Sequence, residues 1–257
     1  NREHNNILVG AIPRSGKSFI MAGAILDFVK KNPDKKSHFL IITPAPTETY
    51  PEYEAIFNNY NDFDKFNIKC TNLGRKNQKI DIEKSNNVLI VSKQKLGWNN
   101  SDKSQNVDVE LQNINKTFDI KPPLKLDLVF LDEAHFGMTT NTAKNILNEI
   151  NNLCGNSPKI FVTATYKKPL DVYNINKDEA KLTWDINDIN IMKKIDTIKD
   201  SENEIKKRFG DIYTETIKNY NKTELKKLYS FFPEPYLITS VWDYKYLNRE
   251  KMKIGDT

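Results

Sequence analysis

Strand-like segments near Ile7, Phe39, Ile68, Val88, Leu128 and Ile160, all but the one at Ile68 short apolar runs and each separated from the next by a helical or loop stretch, constrain the fold more than any other feature. A run with no polar face is covered on both sides. Strands of that kind belong to a parallel sheet with helices above and below it, and the intervening stretches supply the crossovers that parallel neighbours require. The expected fold class is α/β, a doubly wound and mainly parallel sheet.

At 257 residues the chain can bury one full α/β core and carry an appendage. From about Leu170 onward the pattern turns to amphipathic helix, with Ile186, Ile189, Met192 and Ile195, then Ile205, Phe209, Ile212, Ile217 and Tyr220. Pro233 and Pro235 break it, and Tyr236–Val241 reads as one more strand, either on the edge of the sheet or leading onward. The expected organisation is a sheet domain over 1–169 and a mainly helical extension or linker over 170–257. Within the first part, a helix after Pro51 offers Tyr53, Ile56, Phe57 and Tyr60 for packing on the sheet. Another helix runs from about Thr142 to Leu153, and the polar stretch Trp98–Gln105 reads as a surface loop.

Composition excludes several classes of function. With 38% hydrophobic and 28% charged residues, and no apolar run of spanning length, the chain is not expected to meet a membrane. Cys70 and Cys154 stand far apart and His4, His38 and His135 lack metal spacing, so neither a metal cluster nor a disulfide framework is indicated. A net charge of +5 permits nucleic-acid binding without demonstrating it, since most lysine pairs are interspersed with acids. The absence of a secretory signal points to an intracellular setting: cytoplasm, nucleus or virion. The chain starts at Asn1 and its first strand follows almost at once, which reads as a piece of a longer polypeptide.

Two motifs carry the chemistry. After the strand at Asn6–Gly10 come Ala11-Ile12-Pro13-Arg14-Ser15-Gly16-Lys17-Ser18, and then a helix from about Phe19 to Lys30 with apolar Ile20, Ala24, Ile25, Phe28 and Val29. Strand, loop and helix is the architecture of a phosphate loop: free N–H groups at the helix start and the positive end of its dipole meet an anion there. Lys17 adds a point charge for the β and γ phosphates, and Ser18 a hydroxyl for magnesium. Gly10 lies one position too early for the usual spacing, so Ala11 fills the first place of the loop. The second motif is Asp132-Glu133-Ala134-His135, delivered by the strand Leu128–Leu131. One carboxylate neutralised by a cation stays ionised, while its neighbour remains free to accept a proton.

Together these motifs resemble the first RecA-like lobe of superfamily-two helicases of the DEAD/DEAH type. Thr163-Ala164-Thr165 resembles motif III of that family, Leu40–Pro46 motif Ia, and Val88–Leu96 the strand and loop called Ib. The resemblance covers about the first two thirds of the chain. It implies an ATP-binding motor lobe, with ATP and Mg2+ as cofactors, that moves on DNA or RNA. Alternatives are a nucleotide-gated binding switch, and a motor subunit of a restriction or remodelling complex that separates no strands. In that family Asp132 would hold magnesium through water, Glu133 would activate the attacking water, and His135, Thr163 and Thr165 would couple the nucleotide site to the rest of the machine. Ala11, Pro13, Arg14, Ser15, Gly16, Lys17 and Ser18 would cradle the phosphates. Thr43, Pro44, Ser92, Lys93 and Gln94 would grip the nucleic-acid backbone. A second RecA-like lobe of the same polypeptide would supply arginines across the cleft. The loop PRSGKS with TATYKKP, in an Asn-, Lys- and Ile-rich chain, is similar to helicases of large DNA viruses. The family usually has glycine where this chain has Arg14. Either the backbone there accepts a residue with a Cβ, or the loop is strained.

Overall fold

A computed structural model describes residues 5–44, 46–75, 80–97, 116–118, 124–135, 137, 140–175, 180–195, 203, 206–207, 210 and 222–231, the side chains of 46–48 excepted. Trp98–Gln105, the hydrophobic positions from Ile205 to Tyr220 and the strand expected at Tyr236–Val241 lie outside the described residues. Two compact units emerge, Asn1–Asp185 and Ile186–Thr257.

The first unit is built on a seven-stranded sheet. Its strands are β1 (Asn6–Ala11), β2 (His38–Thr43), β3 (Ile68–Asn72), β4 (Asn86–Ser92), β5 (Leu128–Asp132), β6 (Lys159–Thr163) and β7 (Lys181–Trp184). They lie in the order β3-β4-β2-β5-β6-β1-β7, and every pairing is parallel. The helices are α1 (Lys17–Lys31), α2 (Pro46–Asn59), α3 (Asn61–Lys65), α4 (Asn141–Cys154) and α5 (Lys167–Val172).

Alternation along each strand sorts its side chains onto two faces. Val9, Phe39, Ile41, Val88, Ile90, Phe130, Ile160 and Val162 point to one side, against Met21, Ala22, Ile25 and Val29 of α1 and Tyr50, Tyr53, Ile56 and Phe57 of α2. Leu8, Leu40, Ile42, Leu89, Val91, Leu131 and Phe161 point to the other, against Ala143, Ile146, Leu147 and Ile150 of α4. Each fully buried aliphatic or aromatic side chain contributes about 1.5–3 kcal/mol, so the two faces supply most of the driving force for the sheet. Thr140 starts α4, its Oγ1 accepting from Ala143 N–H at 3.2 Å.

The structure differs from the sequence reading in three places. α2 begins at Pro46 and runs through Pro51, which is exposed on the solvent side of the helix. Tyr60 follows the helix, stands 51% exposed and meets Phe19 edge to face at a centroid distance of 5.9 Å instead of packing on the sheet. β7 falls where helix was expected. Its four residues, Lys-Leu-Thr-Trp, are too few to show a period, and the free edge of β1 supplies the hydrogen bonds that make them a strand. In the second unit, α6 (Ile186–Lys193) and α7 (Lys222–Ser230) pack against each other. Among the described residues no helix is long and apolar enough to cross a membrane.

Candidate active site

Because β6 lies between β1 and β5, the carboxyl ends of these three strands put Ile12–Gly16, Asp132–His135 and Thr163–Thr165 side by side. Ala11 ends β1 and is buried. Pro13 and Arg14 are exposed beyond it. Ile12 N–H donates to Trp184 O (3.2 Å) and Ser15 N–H to Ile12 O (3.3 Å), which folds the loop back over the strand end. Gly16 stands before α1 with φ +80°, and no side chain caps the helix. The first turn of α1 contains no acid either, so its N–H groups and dipole are open to an anion. The Ser15 hydroxyl is buried and has no hydrogen-bond partner among the described residues.

Of the two alternatives left open for Arg14, the structure takes strain: its φ is +62°, in the left-handed region that glycine adopts freely. That costs about 1 kcal/mol. Gly10, one residue too early for the phosphate loop, has a packing role instead. A Cβ there would stand 2.7 Å from the Tyr166 ring, so the ring closes over the strand.

Asp132 ends β5 and is 5% exposed. Burial, then the neighbouring Glu133 charge, pushes its carboxyl up to about 6. Hydrogen bonds from the Glu133 backbone and Tyr53, and the Lys17 charge, oppose this. Glu133 takes φ +49°, a second strained position. Its carboxylate is held from both sides: Oε1 is 3.3 Å from Lys17 Nζ, and Oε2 is 3.3 Å from His135 Nδ1. His135 Nδ1 is also 2.9 Å from Thr163 Oγ1. Since the Thr163 hydroxyl donates to Thr165 O (3.1 Å), it accepts from His135, and the network assigns the imidazole proton to Nδ1. Thr165 N–H returns to Thr163 Oγ1 at 3.1 Å.

This donor set fits a magnesium-bound triphosphate. The Ser15 hydroxyl, without a partner among the described residues, and the uncapped start of α1 suit an anion, Lys17 is a cation paired with a partly exposed carboxylate, and Asp132 and Ser18 offer the oxygens that magnesium prefers.

On the rim, Thr43 and Lys93 turn inward. Thr43 is fully buried, with Oγ1 2.9 Å from Thr49 Oγ1, and Lys93 is 3% exposed, its ammonium pKa lowered by burial. Lys93 N–H donates to Thr43 O at 3.1 Å, joining the two loops. Ser92 and Gln94 instead face a groove of about 560 Å³ shared with Tyr50, Asn72, Arg75 and Lys95. Gln94 Nε2 donates to Pro44 O (3.0 Å), and Lys95 N–H to Ser92 Oγ (3.0 Å). The Arg75 guanidinium lies 4.8 Å over the Tyr50 ring. Tyr50, Tyr53, Arg75 and Lys95 were missed as site residues. Arg75 and Lys95 follow the carboxyl ends of β3 and β4, a signal readable once strand adjacency is known.

Residues 1–168 match the family model described as Type III restriction enzyme, res subunit (ResIII). No curated protein sequence matches the chain. Among solved structures it is similar to the Sulfolobus solfataricus SWI2/SNF2 ATPase core in complex with dsDNA, at 14% identity and a TM-score of 0.42, over 87% of this chain and 39% of that one. The chain thus spans well under half the length of that protein. With the ResIII match extending over more than half of its residues, the chain belongs to the ResIII family, and its parallel sheet is a RecA-like lobe of the superfamily-two, helicase type.

Proposed function

We propose that this lobe binds ATP with Mg2+ and, together with a second RecA-like lobe, hydrolyses it to move along DNA or RNA. The observation that carries the reading is the 3.3 Å approach of Lys17 Nζ to Glu133 Oε1, which unites two motifs far apart in sequence beside an orphaned Ser15 hydroxyl. When bound, ATP and magnesium supply a phosphoryl group whose charge is partly neutralised for attack by water. Lys17, now paired with Glu133, would hold the phosphates, and Ser18 and Asp132 would hold the metal. Released from Lys17, Glu133 orients a water and takes its proton. His135, held by Thr163, keeps the other oxygen of Glu133 in place and links it to Thr165. Because β7 returns the chain to the sheet, the extension leads toward the second lobe only from Ile186 in this reading.

The groove supports the nucleic-acid part. Ser92, Gln94, Arg75 and Lys95 present hydroxyl, amide and cationic donors suited to backbone phosphates, while Thr43 and Lys93 brace the loops from beneath. Binding is therefore expected to weaken steeply with salt and little with sequence.

ATP turnover is the test, measured for this chain and for a version extended through a second lobe, with and without single-stranded and duplex nucleic acid. The isolated chain is expected to be nearly inactive, because an arginine supplied across the cleft is worth roughly 10³–10⁵ in rate. Glu133→Gln is expected to lower turnover of the extended protein by at least about 100-fold. Strong turnover by the isolated chain, or an active Glu133→Gln, would overturn this reading. Strand displacement distinguishes a helicase from a translocase.

A further inference from the structure

Helix α2 is tied at three points within little more than one turn. Thr49 Oγ1 meets Thr43 Oγ1 at the end of β2 (2.9 Å). The Tyr50 ring carries the Arg75 guanidinium at the floor of the groove (4.8 Å). Tyr53, fully buried, donates its hydroxyl to Asp132 Oδ2 at 3.4 Å and reaches Met21 Sδ at 3.6 Å. Tyr50 and Tyr53 are three residues apart and so lie on one face of the helix. One rigid element therefore touches the groove at one tyrosine and Asp132, a candidate magnesium ligand, at the next.

A buried tyrosine needs a partner for its hydroxyl, and the partners it finds mark its role. Met21 is a weak acceptor and alone would satisfy it poorly. A carboxylate accepts strongly, and its second oxygen remains available for a cation. We infer that Tyr53 is a positioning residue for the magnesium site, and that α2 couples occupancy of the groove by nucleic acid to the affinity of that site for magnesium. This rests on the proposed nucleotide chemistry at Lys17, Ser18 and Asp132. A load on Arg75 bears on Tyr50, α2 shifts as a unit, and Tyr53 moves with Asp132. By linkage the effect is reciprocal, so magnesium–ATP must change the affinity of the groove by the same factor.

Calorimetry of ATP binding to the chain, in EDTA and across a magnesium titration, tests the first half. Tyr53→Phe keeps the ring and its packing while removing the hydroxyl. It is expected to bind ATP in EDTA as wild type does but to show about a tenfold smaller gain on adding magnesium. Unchanged magnesium dependence overturns the role of Tyr53 while leaving the nucleotide site intact. Loss of affinity in EDTA as well would show a structural effect only, and also overturns it. A wild-type chain that binds no ATP in either condition overturns the nucleotide reading itself, and this inference with it. Fluorescence anisotropy of a labelled oligothymidylate tests the second half. Magnesium–ATP is expected to shift wild-type affinity several-fold and Tyr53→Phe affinity hardly at all, with equal affinities in the absence of nucleotide. A shift of the same size in both proteins, or none in wild type, overturns the coupling through α2.

Discussion

The two ends of the sheet treat their polar groups in opposite ways. At the amino ends nearly everything is satisfied at short range. Asn86 accepts from Ser37 N–H (2.8 Å) and donates to Phe66 O (2.7 Å), and Asn87 Nδ2 lies within 3.2 Å of His38 Nδ1, 3.0 Å of Asp81 O and 2.9 Å of Ser85 O. Asp127 accepts from His38 N–H (3.0 Å) and pairs with Lys35. Lys159 donates to Asn151 and to Ser157 O (2.8 Å), and Ser157 to Leu126 O (2.6 Å). At the carboxyl ends, Arg14 and Glu133 hold φ of +62° and +49°, a carboxyl is buried against a second one, and the Ser15 hydroxyl has no partner among the described residues; Asn67, before β3 at the amino ends, also has a positive φ (+50°), but asparagine tolerates that region where arginine and glutamate do not. Satisfied polar groups fix the register of strands; unsatisfied and strained ones are kept where a ligand will complete them. The Ser37 hydroxyl, orphaned at the amino end, is an exception that nothing in the structure explains.

The contrast breaks if mutations at the two ends act alike. Asn86→Ala leaves a buried N–H and a partly buried carbonyl without this partner and is expected to cost about 1–3 kcal/mol in urea unfolding without changing ATP affinity in the molecules that remain folded. Lys17→Ala is expected to do the reverse, lowering ATP affinity at least about tenfold by calorimetry while stability stays within about 0.5 kcal/mol. A smaller effect separates charge from hydrogen bonding at the amino end. Burial lowers the Lys159 amine from its ordinary 10.5 to about 8, so the folded state prefers it neutral. Unfolding then takes up a proton between those values, and stability rises as pH climbs from 8 toward 10.5. Relative to Lys159→Met, wild type is expected to gain about 1–3 kcal/mol between pH 7 and pH 10; a flat difference would show that its two acceptors satisfy the charge completely. Smallest of all is Arg14→Gly, expected to raise stability by under about 1 kcal/mol, since relief of the strained φ is partly offset by the greater freedom of glycine when unfolded.

The strands with long apolar runs were legible from sequence, because a run such as Phe39-Leu40-Ile41-Ile42 has one physical explanation. β7 was not, since four residues depend on an edge to pair with. Among candidate site residues, Lys17, Asp132 and Glu133 were picked out from motifs and meet at the strand ends. Lys93 looked fit for a phosphate, yet its neighbours Gln94 and Lys95 face outward and it is buried. Helical spacing identified Tyr53 as a core position without revealing that its hydroxyl would lie against a carboxylate 79 residues away. Arg14 was undecidable before its φ was known.

The place of β6 also sets a timetable. β1 and β5 are not neighbours, and only β6, made after both, joins them. At ~5–20 residues per second, Thr163 leaves the ribosome roughly 7 to 30 s after Lys17. Throughout that interval β1 has no partner in the sheet, because β7 comes later still. A nascent chain can zip β2, β4 and β5 into a half-sheet while its phosphate loop waits outside. An unpaired apolar strand held open for so long is a ready target for chaperones, and for mispairing with another copy.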